Sequence, residues 1–350
     1  MTLDDPALYE RGDPHRARDV LAAFPRHCRA GAALRAEPPL AARRPALVVV
    51  AGMGGSAAGG DLLAACAAGH LEVPILVHRG YGLPAAAGPH ALVIASSYSG
   101  GTAEVLSAAE AALARGAALV ALTSGGPLAA LARARAVPSV ALPGGLMPRM
   151  ALGYLFFAAA RVLQAVDLAV ATDAELGEAL DVVAALSAEL GPERPAAGNE
   201  AKRLALALGE RLPAVYGGPL TGPVAYRWKT DLEENAKRFA LAGAVPEMNH
   251  NEVEAWRPPD ARALHAVLLR DTGEPLAIAQ RFALLRELLA PAAGGVTECW
   301  TRGRGAAARL LSLACLGQWV SFYAALARGV DPWPVPVLDE LKRRLAGVRP

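Results

Sequence analysis

Five short apolar segments alternate with helical patterns over the first 150 residues of this 350-residue chain. Apolar runs of this length are typical of strands buried in a parallel sheet, and the segments between them are long enough to form crossover helices. Strands are predicted at residues 46–50, 74–78, 91–95, 118–123 and 138–142, and helices between them, for instance at residues 57–68 and 103–115. This alternation predicts an α/β fold with a doubly wound parallel sheet.

The same pattern recurs in the second half of the chain. A strand predicted at residues 213–216 ends in Gly217-Gly218, much as the strand at residues 48–50 leads into Gly52 to Gly55. Further strands are predicted at residues 264–269 and 295–300, and helices at residues 201–208, 275–289 and 306–328. We therefore predict two tandem copies of one three-layer α/β/α unit.

Four segments follow from this pattern. We expect an N-terminal helical segment (residues 1–42), a first α/β domain (43–150), a helical connection and linker (151–199), and a second α/β domain with C-terminal helices (200–350). Residues 6–35 are expected to be helical, residues 151–190 to form one long helical stretch, and the glycine- and proline-containing residues 191–199 to form the linker.

Composition restricts the classes of function. The net charge of +2 argues against a surface for nucleic acid or membrane. The four cysteines lack CxxC spacing and are expected to be buried thiols in a reducing cytoplasm, with no metal or disulfide role. The first 13 residues are acidic and lack the apolar core of a signal peptide, and no uncharged apolar stretch reaches membrane length without a glycine. We expect a cytoplasmic protein.

Lysine is scarce in this chain. Of the 35 basic residues only four are lysines, namely Lys202, Lys229, Lys237 and Lys342. Where any cation would serve, the chain uses arginine, so a retained lysine indicates a position that needs an amine.

A hydroxyl-rich segment, Ser97-Tyr98-Ser99-Gly100-Gly101-Thr102-Ala103-Glu104, joins a predicted strand to a predicted helix. Such a junction presents unpaired backbone N–H groups and the positive end of a helix dipole. Hydroxyl donors beside them favour an anion, phosphate above all. The segment contains no lysine, so it does not match the nucleotide P-loop pattern.

Gly52-Met53-Gly54-Gly55-Ser56 occupies the equivalent junction after the first strand. With Ala57 it also matches the minimal dinucleotide pattern, but His78-Arg79 stands where that interpretation needs an acidic residue. We predict that this segment and the hydroxyl-rich one form a single phosphate pocket at the carboxyl ends of two adjacent strands. The second copy carries the acidic segment 270–274 instead, so only the first copy should bind the anion.

Glu234 is a candidate base on a predicted helix that Thr221 can cap and Pro223 can begin. Val224, Trp228, Leu232, Ala236 and Phe239 form an apolar stripe on that helix, and Arg227, Asp231, Glu234 and Arg238 lie on another face. Spacing alone favours the simpler alternative, a solvated face with the pairs Arg227–Asp231 and Glu234–Arg238.

Three other residues are candidates for chemistry. His250 follows Asn249, which could cap a helix with Glu252 in the capping-box position, and a histidine in a first helical turn is held toward its neutral form. The alternative is a loop histidine without a role. Lys342 lies either in a site or in an amphipathic C-terminal helix, and Arg149 lies either at the ligand-binding end of the first sheet or in a surface loop.

Together these segments resemble the sugar isomerase (SIS) fold and, more narrowly, the bifunctional phosphoglucose/phosphomannose isomerase family. The motifs that carry the resemblance occur in family order: residues 52–62, residues 97–104, Pro148-Arg149-x-Ala151-x-Gly153-Tyr154, Glu234-Asn235-Ala236-Lys237, Asn249-His250-Asn251-Glu252, and Asp331-Pro332 leading to Leu341-Lys342. Gly101 is a departure, since many relatives carry asparagine there.

The resemblance implies a role for each matching residue. Gly55, Ser56, Ser97, Ser99 and Thr102 would bind the substrate phosphate. Glu234 would move a proton between C1 and C2, and Arg149 would stabilise the enediolate. His250 and Lys342 would assist opening of the sugar ring, with His250 supplied by the partner subunit of a homodimer.

We therefore expect an aldose–ketose isomerase that converts glucose 6-phosphate, and mannose 6-phosphate too, into fructose 6-phosphate through a cis-enediolate. This chemistry needs one carboxylate base, charge stabilisation and a phosphate anchor, and it needs no metal and no redox cofactor. The alternatives are a non-catalytic sugar-phosphate-binding protein on the same fold and an isomerase of an amino-sugar phosphate. A dinucleotide oxidoreductase ranks last.

Overall fold

The computed structural model describes residues 2–41 and 43–345, which contain two parallel β-sheets. The strands are β1 (Leu47–Gly52), β2 (Ile75–His78), β3 (Ala91–Ser96), β4 (Ala118–Thr123), β5 (Ser139–Ala141), β6 (Leu212–Gly217), β7 (Leu241–Ala244), β8 (Leu264–Arg270) and β9 (Gly295–Trp300). The α-helices are α1 (Pro6–Gly12), α2 (Ala17–Ala22), α3 (Phe24–Ala33), α4 (Gly54–Ala67), α5 (Ala103–Ala114), α6 (Gly126–Ala134), α7 (Leu152–Gln164), α8 (Asp173–Leu190), α9 (Glu200–Leu208), α10 (Gly222–Ala236), α11 (Leu276–Leu289), α12 (Ala306–Ala327) and α13 (Pro336–Leu345).

The first sheet has the strand order β2-β1-β3-β4-β5, and every pair in it is parallel. All six residues of β1 and all six of β3 are buried, as expected for central strands covered on both faces. Because β1 and β3 are neighbours that pair from Leu47 with Ala91 to Gly52 with Ser96, the glycine-rich and hydroxyl-rich segments leave the sheet side by side.

The second sheet repeats the arrangement in the order β7-β6-β8-β9, again all parallel. The predicted strands at β6, β8 and β9 are present. Strand β7 was not predicted, because its segment Leu-Ala-Gly-Ala is short and only partly buried, and lacks the continuous apolar run of a central strand. The predicted α/β class with two doubly wound parallel sheets is confirmed.

Alternate residues of the strands face two different cores. In β1, Val48 and Val50 belong to a large hydrophobic cluster, whereas Leu47, Val49 and Ala51 belong to a smaller cluster on the opposite face. This period of two places helices on both sides of the sheet, which gives three layers. The second sheet contributes to the same large cluster, so one continuous core lies between the two halves of the chain.

The helical stretch predicted over residues 151–190 is present but interrupted. It is two helices, α7 and α8, because residue 167 has a left-handed backbone (φ 58°) and Thr172 begins α8 with a capping box closed by Glu175. Residues 6–35, which are predicted to be helical, form the three helices α1 to α3. The four segment boundaries drawn from the sequence stay predictions.

α12 is long and apolar enough to cross a membrane by length and composition alone, but 94% of its apolar window is buried inside the protein. It packs against α8, α9 and α10. α12 therefore has the burial of a core helix.

Candidate active site

The two predicted phosphate-binding segments meet at the carboxyl ends of β1 and β3. Ser56, in the first turn of α4, accepts a hydrogen bond at Oγ from the backbone N–H of Tyr98 (3.1 Å), and Ser96 Oγ donates to Ser56 O (3.0 Å). Both junctions also precede a helix, so the N-terminal N–H groups of α4 and α5 lie at this same edge of the sheet. The structure brings together what the sequence predicted as one pocket.

Hydrogen bonds within the second segment fix its hydroxyl groups. Ser97 Oγ lies 2.8 Å from Thr102 Oγ1 and accepts from Gly100 N at 3.1 Å. Ser97 is buried, whereas Ser99 is exposed and its hydroxyl accepts from Gly101 N at 3.4 Å. Thr102 is the residue before α5, but its side chain does not cap that helix. Its hydroxyl remains with Ser97 inside the loop.

Gly100 and Gly101 have different physical requirements. Gly100 has a φ of 70°, and a Cβ added there would lie 1.9 Å from Gly125 O, so only glycine fits. Gly101 has no heavy atom within 4 Å of the place its Cβ would occupy. The Cβ of a side chain at residue 101 would therefore meet no steric obstacle.

Gly55, in the glycine-rich segment after β1, lies directly against the backbone of Arg149. A Cβ on Gly55 would lie 2.7 Å from both Arg149 Cα and Pro148 O. The backbone of residues 148–150, a short 3-10 helix, therefore rests directly on the first turn of α4. Gly55 is needed for this close approach of two backbones.

Arg149 is buried at 3% exposure and has partners on every side. Its Nε donates to Asn235 Oδ1 (2.7 Å), and its Nη2 donates to Pro332 O (2.9 Å) and Trp333 O (2.7 Å). Nη1 lies 3.5 Å from Glu234 Oε2. Burial lowers the pKa of Arg149, and the Glu234 carboxylate opposes that shift. The alternative of a surface loop cation is wrong, because the guanidinium is held inside the protein beside the candidate base.

The Glu234 face of α10 is not the solvated face that spacing favoured. Arg227 and Asp231 form a buried ion pair (2.7 Å), and Arg227 also donates to the backbone oxygen of Arg149. Burial raises the pKa of Asp231 to about 6, and Arg227 opposes the rise. Arg238 donates to Gly209 O at 2.6 Å instead of pairing with Glu234. Glu234 therefore has Arg149 as its cationic neighbour.

Two details predicted for α10 also need correction. Phe239 does not continue the apolar stripe, since α10 ends at Ala236 and Phe239 is 83% exposed. Thr221 occupies the N-cap position, but its hydroxyl donates to Leu269 O (2.7 Å) instead of capping the helix. That bond ties the start of α10 to the neighbouring strand β8.

Two residues of the Glu234 motif lie at the site although the sequence analysis gave them no role. Asn235 holds Arg149 through Oδ1 and donates from Nδ2 to Ser321 Oγ (2.9 Å). Lys237 Nζ donates to Glu234 O (2.6 Å) and Pro332 O (3.2 Å). The scarcity of lysine in the chain was the signal that could have identified Lys237.

We expected His250 in the first turn of an α-helix, and this prediction is wrong. His250 is the last residue of a 3-10 helix, Glu247–His250, and the capping residue there is Asn251, which accepts from Glu252 N and begins the next 3-10 turn. The dipole argument for a neutral His250 therefore does not apply. His250 is exposed, and its side chain makes no hydrogen bond within residues 2–41 and 43–345.

Lys342 lies on α13, of which no residue is buried in the described part of the chain. Leu338, Leu341 and Leu345 share one face of α13 and are between 39% and 55% exposed. Asp339, one turn before Lys342, raises the pKa of Arg149 slightly against the effect of burial, which places α13 within electrostatic reach of the site. One chain thus brings Glu234 and Arg149 together, and leaves His250 and Lys342 on its surface.

In the second sheet, the segment after β8 corresponds to the hydroxyl-rich segment after β3, and it carries charged side chains. Asp271 follows β8 and is bound by Arg309 Nη1 at 2.6 and 2.8 Å and by the Thr301 hydroxyl at 3.0 Å. A carboxylate with its own cation therefore occupies this junction, and phosphate binding by the first sheet alone stays a prediction.

Metal ligands are not grouped anywhere in the part of the chain that the structure describes: no three His, Cys, Asp or Glu side chains form a set that could hold a metal ion.

Comparison with known proteins places this chain in a family. Residues 197–345 match the model of the bacterial phospho-glucose isomerase C-terminal SIS domain. The bifunctional phosphoglucose/phosphomannose isomerase of Caldicellulosiruptor bescii is 38% identical over 305 residues, which cover 86% of this chain and 90% of that protein. This chain belongs to the bifunctional phosphoglucose/phosphomannose isomerase family. The family member from Thermoplasma acidophilum is 31% identical over 299 residues, 85% of this chain and 89% of its own length.

A solved structure supports the fold assignment independently. A glucose-6-phosphate isomerase like protein from Thermus thermophilus superposes with a TM-score of 0.66 at 22% identity and covers 97% of this chain and 99% of its own. The likeness therefore extends over nearly the whole length of both chains. The predicted family and the SIS fold are confirmed.

Proposed function

We propose that this protein interconverts glucose 6-phosphate and mannose 6-phosphate with fructose 6-phosphate, through a cis-enediolate and without a metal. The observation that carries the proposal is the placement of one carboxylate, Glu234, 3.5 Å from a buried guanidinium, Arg149, whose backbone rests on the phosphate segment. Family membership supports the sugar-phosphate substrate class, and the names of the relatives support both hexoses.

Each group has a place in the reaction. The phosphate would be bound at the edge formed by Gly55, Ser56, Ser97, Ser99 and Thr102. This remote binding fixes C1 and C2 of the opened sugar against the carboxylate. Glu234 would take the proton from C2 and return it to C1, while a proton moves from the C2 oxygen to the C1 oxygen. Arg149 would stabilise the negative charge that develops on these oxygens.

The shared intermediate explains why one site could serve two sugars. Glucose 6-phosphate and mannose 6-phosphate differ only at C2, and removal of the C2 proton gives the same enediolate from either. Selection between them would then depend on how the opened chain is held before proton transfer, which in this proposal also involves His250 and Lys342.

A coupled assay with both hexose 6-phosphates tests the proposal. Purified protein in EDTA should form fructose 6-phosphate from each, and Glu234→Gln should lower kcat by about 10²- to 10⁴-fold while KM changes little, because a general base is lost and the phosphate anchor remains. Near-normal turnover by Glu234→Gln would show that the base is another residue. If the wild type binds the hexose phosphates without turnover, the protein is a non-catalytic sugar-phosphate-binding protein. If it turns over only an amino-sugar phosphate, it is an isomerase of that substrate.

We also infer that the active form is a homodimer in which His250 comes from the partner subunit. His250 and the apolar face of α13 are both exposed in the single chain, which supports a second copy as their neighbour. Mixing the inactive variants Glu234→Gln and His250→Ala, with refolding to allow subunit exchange, should restore activity, because one of the two mixed sites regains both residues. If the mixture stays inactive although mixed dimers form, His250 acts within its own chain or not at all.

A further inference from the structure

Lys237 follows directly after α10, and its backbone is left-handed, with a φ of 50° and a ψ of 44°. Residues with a β-carbon seldom adopt this conformation, and glycine is the usual residue where a helix ends in this way. The chain has 35 glycines and only four lysines, yet it has a lysine here. A contribution of the side chain must therefore offset the less favourable backbone.

The Lys237 ammonium group lies among three backbone carbonyl oxygens. Nζ donates to Glu234 O at 2.6 Å, to Pro332 O at 3.2 Å and to Asn235 O at 3.3 Å. An ammonium has three donors and no acceptor, so its donors match these carbonyls in number. An ammonium directs three donors from a single nitrogen, whereas a guanidinium spreads its donors over a larger planar group, which gives a physical reason for an amine at this position.

The Pro332 carbonyl is shared between Lys237 and Arg149. Arg149 Nη2 donates to Pro332 O at 2.9 Å, and Arg149 Nε donates to Asn235 Oδ1 at 2.7 Å. Lys237, Pro332 O, Arg149 and Asn235 are thus linked in a ring of hydrogen bonds that begins and ends at the C-terminal end of α10. Glu234 is the residue that precedes Asn235 in the chain. Any displacement of the end of α10 changes the separation of the Glu234 carboxylate from Arg149.

We propose that Lys237 is a positioning residue for the isomerisation, which sets Glu234 against Arg149 by joining the end of α10 to the Pro332 carbonyl. This inference rests on the proposed function. Lys237 does not contact the reacting carbons in it. Because Glu234 and Arg149 act on the same enediolate, a change in their separation affects the transition state more than it affects phosphate binding.

The charge of Lys237 adds a dependence on pH. Lys237 is exposed as a whole residue, but partial burial of its ammonium group, followed by the nearby Arg149, lowers its pKa to about 8, while Asp331 and Glu234 oppose the shift. Asp331 in turn lies 2.8 Å from His15 Nδ1. A neutral amine has one proton fewer than the three carbonyls need, so the contacts weaken as the pH rises through about 8.

Two variants of Lys237 and a control test the proposal. Lys237→Gly relieves the left-handed backbone but also loses the side-chain contacts that offset it, so its melting temperature should stay close to that of the wild type, yet its kcat should fall by about 10- to 100-fold with KM within about threefold. Lys237→Met, which keeps the side-chain length without the charge, should lose kcat to the same extent. The control is Lys229→Met, since Lys229 lies on the same helix and forms its ion pair with Glu233 (2.7 Å). It should keep the wild-type kcat.

The pH profile and an inhibitor provide further measurements. The wild-type kcat should decline above about pH 8, and this decline should be absent in Lys237→Gly. That variant should also bind a five-carbon sugar-acid phosphate, whose carboxylate mimics the enediolate, more weakly by the same factor as its loss of kcat, while its affinity for inorganic phosphate stays unchanged.

The possible failures are distinguishable. If the wild type turns over neither hexose phosphate, the proposed function is wrong and this inference falls with it. If the wild type is active and either Lys237 variant keeps its kcat, the inference alone is wrong. If Lys237→Gly is slow only in proportion to a fall in its melting temperature, the role of Lys237 is structural and the inference is also overturned.

Discussion

Replacing Gly55 by alanine should separate stability from activity, because the two respond to different consequences of one added methyl group. The new Cβ would lie 2.7 Å from Arg149 Cα and from Pro148 O, whereas ordinary contact begins at 3.4 Å. The backbone at residue 149 must therefore move by about 0.7 Å relative to α4. A misplacement of about 1 Å can cost roughly a hundredfold in rate, so we expect kcat to fall by about 10- to 100-fold.

Stability should change much less than activity. Overpacking costs about 1–3 kcal/mol, and the better helix propensity of alanine recovers up to about 1 kcal/mol of it. Urea unfolding and the coupled isomerase assay measure the two effects on the same preparations. The matched control is Gly177→Ala, since Gly177 lies inside α8 and its added Cβ would have no heavy atom within 4 Å. This control should gain about 1 kcal/mol and keep its activity.

Either of two results would refute this reasoning. A Gly55→Ala variant with kcat within about threefold of the wild type would mean that the contact between α4 and residue 149 does not set the position of the guanidinium. A Gly177→Ala variant with a similar loss of activity would mean that the effect is a general one of substitution in a helix.

Two further predictions concern the buried pair that supports Arg149. Arg227→Met leaves the buried Asp231 carboxylate without its cation and removes the bond to Arg149 O, so the free energy of unfolding should fall by about 3–5 kcal/mol at pH 7.5 in urea titrations, whereas Lys229→Met should cost less than about 1 kcal/mol. Asp231 has a pKa of about 6 when folded and an ordinary value of 3.8, so the folded protein binds the extra proton between these values. The stability that this proton provides is present below about pH 4 and is lost as the pH rises through about 6. The difference in free energy of unfolding between the wild type and Asp231→Asn should therefore shrink over that range. A difference that stays flat or grows would contradict the raised pKa of Asp231.

The sequence predicted the parts of the molecule that depend on local pattern. Eight of the nine strands in the described residues follow from apolar runs, and the two segments predicted to bind phosphate follow from glycines and hydroxyls between a strand and a helix. Their meeting could also be predicted, because consecutive junctions in a parallel sheet share one edge. The strand that was missed, β7, lies at a sheet edge and has no continuous apolar signal.

The charged face of α10 could not be predicted from spacing. Residues four apart on a helix suggest ion pairs whether the face meets water or protein. Only packing revealed that Arg227 and Asp231 are buried, that Arg238 turns to Gly209 O, and that Glu234 has Arg149 for its neighbour. Arg149 and Gly209 lie outside α10, so the periodicity of the α10 sequence cannot predict that they contact it.

The amino-acid sequence by itself determined the α/β class, the twofold repeat and the family, and it predicted the edge proposed to bind phosphate, because each of these depends on motifs whose residues are close together along the chain. The tertiary structure decided how the reacting groups are held. It placed the backbone of Arg149 against Gly55, surrounded its guanidinium with Asn235 and the Pro332 carbonyl, and turned the Lys237 ammonium to that same carbonyl. These contacts join segments far apart in sequence, so they exist only once the common core between the two sheets has formed.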